Sequence, residues 1–226
     1  LGGTQVGGRP IFSYGVMLAI SFVFGAMLSY YMVDRLGADR RKTNQLFIIA
    51  AVGAILGARI LYFIASAPEE FSFVNFFKFY EGGLVAYGGF LGGILVSAVV
   101  ALRTRADYWL GADCIAPAMA LGTGITRTGC FLYGCDFGQP VQAAWSLQYP
   151  HWSNPTVAAW IPSGSPAFHQ HFHGHVDSAA QVLSLGVHPT QLLSSLNGYF
   201  AFGLLMLALP YRKFKGQIML MFLGYY

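Results

Sequence analysis

Charged residues are scarce in this chain, since Asp, Glu, Lys and Arg together make up only 10% of its 226 residues. An ordinary soluble domain carries about 25% of them. Hydrophobic residues reach 55%, and the mean hydropathy is positive. This balance argues against a water-soluble domain, and we expect an integral membrane protein whose length is counted in crossings of about 20 residues each.

Cysteine is also scarce, and the three cysteines indicate no disulfide framework. The net charge is only +4, and no basic face stands apart from the expected helix ends, which argues against nucleic acid as a partner. The sequence lacks inverted repeats and an acidic relay within its apolar segments, so a transporter is disfavoured. It lacks a cleavable signal-peptide pattern. Because it starts at Leu1 and stops inside an apolar run, we expect residues to be missing at both ends.

Long apolar runs dominate what is present. Five runs have the composition of membrane-spanning helices, namely 11–33, 45–66, 84–102, 110–126 and 189–210. A sixth begins near Gly216. The fourth is short and contains Pro117, and such a break is tolerated only where protein or a water-filled cavity satisfies the backbone. We predict an all-α polytopic membrane protein with about six to seven transmembrane helices in a single transmembrane domain, 1–226.

Basic residues follow every second apolar run. Nine of the thirteen lysines and arginines lie in three clusters: Arg35, Arg40, Arg41, Lys42, Arg103, Arg105, Arg212, Lys213 and Lys215. All nine fall on one side if each run crosses once. The positive-inside rule makes that side the cytoplasm, which predicts a multi-pass protein of the bacterial inner membrane. Residues 127–188 then include a periplasm-facing head.

Two arginines lie in or beside apolar runs, Arg59 and Arg127. A cation at membrane depth costs about 3 kcal/mol or more unless something compensates it. One interpretation is structural, with the arginine paired to Asp113 or a backbone carbonyl, or extended to the membrane interface. The other is a phosphate clamp, because a guanidinium binds phosphate oxygens with two parallel hydrogen bonds and lipid phosphate is the anion available there.

A glycine-rich stretch, 81–90, precedes the third run. Glycines let a backbone bend and approach a ligand closely. The alternative is close helix packing through small residues, as in the spacing of Gly88 and Gly92. For the glycines taken alone, the packing alternative is favoured.

Histidines and cysteines give weaker signals. Four histidines alternate in the head: His169, His171, His173 and His175. An extended strand would place all four on one face, where they could bind zinc, but solvated loop residues are the favoured interpretation. Cys130 and Cys135 could form a disulfide in an exported region, and packed free cysteines agree with the sequence equally well.

Several blocks of residues occur in a specific order. They are 12–15, which contains Tyr14 and Gly15, then 81–93, 113–117, 127–134 and 188–192. In this order they resemble the phosphatidylglycerol–prolipoprotein diacylglyceryl transferases, over most of the chain except 139–187. That family moves diacylglycerol from phosphatidylglycerol to the lipobox cysteine thiol of a preprolipoprotein, and a thioether forms as glycerol phosphate leaves.

The resemblance implies roles for the matched residues. Arg127 would place positive charge on the leaving phosphate, and Tyr87 would donate a hydrogen bond to it or accept the thiol proton, the donor role being preferred. Substrate-binding positions would be Tyr14, Arg59, Gly82, Gly83, Gly88, Gly89, Gly129, Gly134, His188 and Gln191. No metal or other cofactor is implied. The expected partners are phosphatidylglycerol, membrane lipid and the preprolipoprotein signal peptide.

The chain departs from the family pattern at some positions. Tyr87 stands where many members have histidine, Cys130 where many have asparagine, and Cys135 where many have glutamate. Ser194 and Ser195 stand where an acidic residue is expected. A second interpretation therefore stays open, in which the chain is a non-catalytic, lipid-binding relative with partners in a membrane complex.

Overall fold

The computed structural model describes residues 4–6, 9–11, 13–65, 68–70, 72–77, 85–149, 165–172 and 183–226. The helices in these ranges are α1 (Ser13–Leu36), α2 (Arg40–Ala65), α3 (Phe73–Phe76), α4 (Ala86–Thr104), α5 (Tyr108–Tyr133), α6 (Pro166–Phe172), α7 (Thr190–Ala208) and α8 (Gln217–Tyr225). Short 3₁₀ turns lie at Pro68–Glu70 and Leu209–Tyr211. Strands β1 (Thr4–Val6) and β2 (Arg9–Ile11) pair as an antiparallel hairpin. Apart from this hairpin, the predicted all-α architecture is confirmed.

Four of the described helices are long and apolar enough to cross a membrane: α1, α2, α4 from Tyr87 onward, and α7 continued to Tyr211. They correspond to the predicted runs 11–33, 45–66, 84–102 and 189–210. Their surfaces carry large exposed apolar side chains, including Phe22, Leu102 and Leu207, which suits a lipid environment. The protein is therefore a polytopic membrane protein, and the total of six to seven crossings stays a prediction.

The fourth predicted run ended too early. It was placed at 110–126, whereas α5 continues without a break through Pro117 to Tyr133. The last turns contain arginine, threonine and glycine, and hydropathy alone assigns such residues to a loop. Residues 127–133 therefore belong to a helix, and the head begins after them.

The chain divides into two compact units. Unit 1 comprises Leu1–Ser29, Ile115–Lys213 and Leu220–Tyr226, and unit 2 comprises Tyr30–Cys114 and Phe214–Met219.

In unit 2, α2 and α4 pack with their backbones in contact. Gly53 and Gly57 on α2 face Gly88 and Gly92 on α4. A Cβ atom added to Gly57 would lie 2.8 Å from the Cα atom of Gly92, and one added to Gly53 would lie 2.8 Å from the Gly92 carbonyl oxygen. Only glycine allows so close an approach, which lets two apolar helices gain van der Waals contact where lipid offers no hydrophobic driving force.

The basic turns of unit 2 lie together. The Lys42 ammonium is 3.5 Å from the Arg105 carbonyl oxygen, and Lys215 forms an ion pair with Asp107. Asp107 also caps α5, because its carboxylate accepts a hydrogen bond from the backbone N–H of Leu110 at 3.2 Å. One residue from each of the three basic clusters thus lies at the same end of this unit: Lys42, Arg105 and Lys215.

A buried carboxylate holds the start of α8. Asp113 accepts hydrogen bonds from the backbone N–H groups of Gly216 at 2.7 Å and Met219 at 3.0 Å. These groups belong to the first turn of a helix, where no intrahelical acceptor is available.

In unit 1, the second half of α5 packs between α1 and α7 through its glycines. A Cβ atom on Gly129 would meet the Met17 Cβ at 2.8 Å, and a Cβ atom on Gly198 of α7 would meet the Gly124 backbone nitrogen at 2.6 Å. The described part of the head is joined by single β-bridges of Val187 with Pro140 and Leu147. Its small core contains Tyr149, Ala167 and Val187, with Phe131 and Phe137 against it.

Candidate functional site

The end of α5 positions several residues of unit 1 for which the family resemblance implies a role. Gly134 has φ +81°, a left-handed conformation that suits glycine and ends the helix. The backbone N–H groups of Gly134 and Cys135 both donate to the Cys130 carbonyl oxygen, at 2.8 and 3.2 Å. A Cβ atom on Gly134 would also lie 2.9 Å from the Tyr149 ring. The predicted glycine is therefore required by the turn itself.

Arg127 lies about two turns before Gly134 and forms an ion pair across this cap. Its Nη1 atom is 2.6 Å from an Asp136 carboxylate oxygen. The arginine side chain is 40% exposed and that of Asp136 is 59% exposed. Asp136 has φ +52°, and its carbonyl oxygen accepts a hydrogen bond from the Thr190 hydroxyl at 3.1 Å. Asp136 was not among the residues predicted from the sequence, although it is the only acidic residue between Asp113 and Asp177.

A cluster of hydroxyl groups lies beside Arg127 along the chain. The Thr128 hydroxyl is 2.8 Å from the Ser195 hydroxyl and 3.2 Å from the Tyr199 hydroxyl. The Gly124 carbonyl oxygen lies 3.0 Å from the Thr128 hydroxyl and 2.8 Å from the Ser195 hydroxyl, so it accepts a hydrogen bond from one of them while that hydroxyl accepts from the other. Ser195 occupies a position where an acidic residue was expected, and in this chain it completes a neutral hydrogen-bond network.

The segment at the start of α7 holds the turn after α5. Gln191 is 1% exposed, and its side-chain amide donates to the Cys135 carbonyl oxygen at 2.9 Å. The His188 backbone pairs with Gly138 and Gln139, and its ring lies 4.6 Å, centre to centre, from that of Trp145. Both predicted residues therefore support the turn that carries Asp136.

Tyr14 completes the group in unit 1. Its backbone lies against α5, because a Cβ atom on Gly129 would be 3.5 Å from the Tyr14 Cα atom. Five of the predicted binding positions thus lie on, or contact, the end of α5 and the turn after it: Tyr14, Gly129, Gly134, His188 and Gln191.

Arg59, in unit 2, has the contacts of a structural arginine. It is 3% exposed. Its Nη2 and Nε atoms donate to the carbonyl oxygens of Asn75 at 2.6 Å and Phe76 at 3.3 Å. The guanidinium also lies over the Phe63 ring, 4.8 Å from its centre. Of the two interpretations offered by the sequence, these contacts favour pairing with backbone carbonyls over a phosphate clamp.

The remaining predicted positions of unit 2 differ in what they contact. Tyr87 projects from the first turn of α4 and is 78% exposed. Gly88 faces Gly57 in the α2–α4 contact, and a Cβ atom on Gly89 would lie 3.3 Å from the Ala54 carbonyl oxygen. These contacts agree with the alternative in which the glycines allow close helix packing. Gly82 and Gly83 lie outside the described residues.

The histidine prediction needs a correction. His169 and His171 belong to helix α6 and not to an extended strand. His171 is half-buried with its ring 5.4 Å from that of Phe137, and burial lowers the pKa of its imidazole. His173 and His175 lie outside the described residues. Cys114, Cys130 and Cys135 are free thiols, in agreement with the packed-cysteine interpretation.

Comparison with known proteins shows which proteins the chain is similar to. A family model described as prolipoprotein diacylglyceryl transferase matches residues 4–226. A Trichormus variabilis protein named phosphatidylglycerol–prolipoprotein diacylglyceryl transferase is 30% identical, over 73% of this chain and 58% of its own length. One from Xanthomonas campestris pv. campestris with the same name is 32% identical, over 84% of this chain and 62% of its own. This chain therefore spans about three fifths of the length of these two relatives.

A fuller match comes from Clostridium perfringens. The protein named phosphatidylglycerol–prolipoprotein diacylglyceryl transferase 2 is 27% identical, over 98% of this chain and 77% of its own length. The similarity thus includes the 139–187 region, which the sequence blocks left uncovered.

Proposed function

The chain belongs to the prolipoprotein diacylglyceryl transferase family, and on that premise we propose that it transfers diacylglycerol from phosphatidylglycerol to the lipobox cysteine thiol of preprolipoproteins. The observation that carries the proposal is Arg127, a half-exposed arginine held by Asp136 at the end of α5. An exposed guanidinium in an otherwise apolar chain is suited to a lipid phosphate.

The chemistry of the transfer defines what the site must supply. The substrate's thiolate sulfur forms a C–S bond with the diacylglycerol carbon as the C–O bond to phosphate breaks, and glycerol phosphate leaves with that electron pair. The thiolate, and not the thiol, is the nucleophile. Negative charge grows on the leaving phosphate, so a positioned cation stabilises the transition state more than the bound lipid.

Arg127 meets this requirement through its geometry. A guanidinium has five N–H donors, and Asp136 is its hydrogen-bond partner among the described residues, through Nη1 alone. Asp136 therefore fixes the orientation of the arginine and leaves donors for phosphate oxygens. The neighbouring hydroxyls of Thr128 and Tyr199 are suited to the glycerol headgroup. Tyr87 is proposed as a further hydrogen-bond donor.

We propose an inner-membrane, multi-pass location with the basic end of unit 2 in the cytoplasm. The test is labelling of single cysteines, introduced by Arg41→Cys and Ala144→Cys into a variant whose three native cysteines are alanine. An impermeant reagent added to intact spheroplasts should label the cysteine at 144 and leave that at 41 unlabelled until the membrane is opened. Labelling of position 144 from the cytoplasmic side alone would contradict the orientation.

The activity is tested by complementation. The full-length gene should restore growth and lipoprotein lipidation to a bacterium depleted of its own diacylglyceryl transferase, because Arg127 supplies the positive charge that the leaving phosphate requires. An Arg127→Ala gene expressed at the same level is the matched control and should fail. If the unmutated gene also fails while its purified product binds phosphatidylglycerol, the non-catalytic alternative is the better account.

A further inference from the structure

We propose that Cys130, Cys135 and Asp136 form a binding site for a thiophilic divalent cation of the zinc type. The site goes beyond the proposed transfer, which does not require it. The two Sγ atoms and a carboxylate oxygen all lie within 4.8 Å of one another. With Zn–S bonds of about 2.3 Å and Zn–O bonds of about 2.1 Å, ligand atoms of a tetrahedral ion lie roughly 3.5–3.8 Å apart. A small side-chain adjustment therefore closes the set around one ion.

The backbone, and not the side chains alone, brings the ligands together. With Gly134 as the left-handed residue after α5, Cys130 and Cys135 occupy the two positions whose side chains touch in this kind of helix cap. The cap is held by the hydrogen bonds from Gly134 and Cys135 to the Cys130 carbonyl oxygen. The side-chain amide of Gln191 also holds this turn, because it donates a hydrogen bond to the Cys135 carbonyl oxygen. Such a site is organised before a cation arrives, which lowers the cost of binding it.

The Asp136 carboxylate lies close to the sulfur atoms of Cys130 and Cys135. Its left-handed backbone, φ +52°, follows directly on the cap. Its Oδ2 atom lies 3.6 Å from the Cys130 sulfur. Asp136 is exposed and Cys135 is half-buried, so an ion can reach the ligands from solvent. Three protein ligands with a fourth position open to water is a common arrangement for zinc.

The donor set selects the class of cation. Two thiolates favour zinc and related soft ions, whereas magnesium and calcium prefer all-oxygen sites. Binding converts two thiols to thiolates and releases two protons. Two thiolates, one carboxylate and Zn²⁺ together carry a charge of −1, the same as Asp136 alone. Arg127 therefore keeps a counter-charge when the ion is bound, and zinc need not expel it.

The test uses the reduced full-length protein in detergent and Zn²⁺ in competition with a chromogenic chelator, with Cd²⁺ added separately as a spectroscopic probe. The unmutated protein should bind one Zn²⁺, and Cd²⁺ should give the ultraviolet charge-transfer band of a thiolate complex. Cys130→Ser and Cys135→Ser should each weaken Zn²⁺ binding by at least about 10-fold. The double variant should lose the Cd²⁺ band. Asp136→Asn should weaken binding and keep the band.

Cys114→Ser is the matched control, since it removes the third cysteine, a buried one in unit 2. It should leave Zn²⁺ affinity unchanged. Because a cap variant could misfold, the Cd²⁺ band of the unmutated protein is an independent readout, and its absence would overturn the proposal. Two other results would do the same. One is binding that survives the double variant and is lost when His169, His173 and His175 become glutamine. The other is a reduced protein that binds no Zn²⁺ and whose two thiols are lost together on oxidation, which would identify a disulfide pair.

Discussion

Replacing Gly57 with alanine is expected to lower the stability of the protein by about 3 kcal/mol, the upper part of the range for overpacking. The added Cβ atom would lie 2.8 Å from the Gly92 Cα atom and closer still to the Gly88 carbonyl oxygen. These are backbone atoms, which cannot turn aside as a flexible side chain does. The α2 and α4 helices must therefore separate and lose contact along their length. For a chain of this size the unfolding midpoint should fall by roughly 6–12 °C.

The measurement is thermal unfolding of the purified protein in detergent, followed by loss of the monodisperse species. Gly203→Ala is the matched control, because it makes the same substitution in the middle of helix α7, where a Cβ atom would meet nothing within 4 Å. Alanine also favours helix over glycine, so this variant should be unchanged or slightly more stable. Equal midpoints for the two variants would show that the α2–α4 contact is looser than the structure has it.

The membrane helices were largely predictable because a bilayer fixes the length of an apolar run. The run 45–66 and helix α2, Arg40–Ala65, differ mainly at the start. There Asp39 accepts a hydrogen bond from the Lys42 backbone N–H at 3.0 Å, and this cap lets the basic residues join the helix. Hydropathy alone cannot detect such an extension, since the added residues are charged.

Helix α5 shows the same limit more strongly. Its last two turns, from Arg127 to Tyr133, include polar residues and glycine and were assigned to the head. They are helical because Gly129 allows α1 to approach at Met17, and because Gly134 provides the stop. Both reasons depend on where neighbouring chain segments lie, and one sequence gives no direct measure of that.

The sequence marks the arginine of the candidate site and not the residues that surround it. A costly arginine beside an apolar run marked Arg127. Its partner Asp136 lies nine residues away across a helix end, where no regular spacing applies. The hydroxyl cluster joins Thr128 to Ser195, 67 residues apart, so only the packing of α5 on α7 reveals it. For Arg59 the partners are backbone carbonyls, which every residue possesses, and the sequence could not choose between its two interpretations.

The largest functional effect is expected from Arg127→Ala. Loss of one donor aimed at developing charge typically costs about 10²–10³ in rate, and turnover should fall by that factor. Binding of phosphatidylglycerol should fall much less, because the lipid's acyl chains keep their contacts. The assay is transfer of labelled phosphatidylglycerol to a lipobox peptide by the full-length protein in nanodiscs. Arg105→Ala, which removes an exposed arginine of a basic turn, is the control and should keep its activity.

Two companion variants separate charge from geometry. Arg127→Lys keeps the positive charge and should restore little activity, because an ammonium cannot form the planar pair of hydrogen bonds that a guanidinium forms. Tyr87→Phe should cost less than Arg127→Ala if the phenol only donates a hydrogen bond. It should cost as much if the phenol handles the thiol proton. Full activity in Arg127→Lys would reduce the role of the arginine to a simple point charge.

The balance between turnover and lipid binding is what distinguishes a catalytic arginine from a structural one. Arg127 is paired with Asp136, so its removal leaves an exposed carboxylate without its cation, and that alone could disturb the turn after α5. Asp136→Asn tests this possibility, since it breaks the ion pair and keeps the arginine. If Arg127 acts on the phosphate, Asp136→Asn should cost less turnover than Arg127→Ala, because the amide oxygen of asparagine can still accept a hydrogen bond from the guanidinium. Equal losses in the two variants, with equal losses of lipid binding, would instead assign the pair to holding the turn.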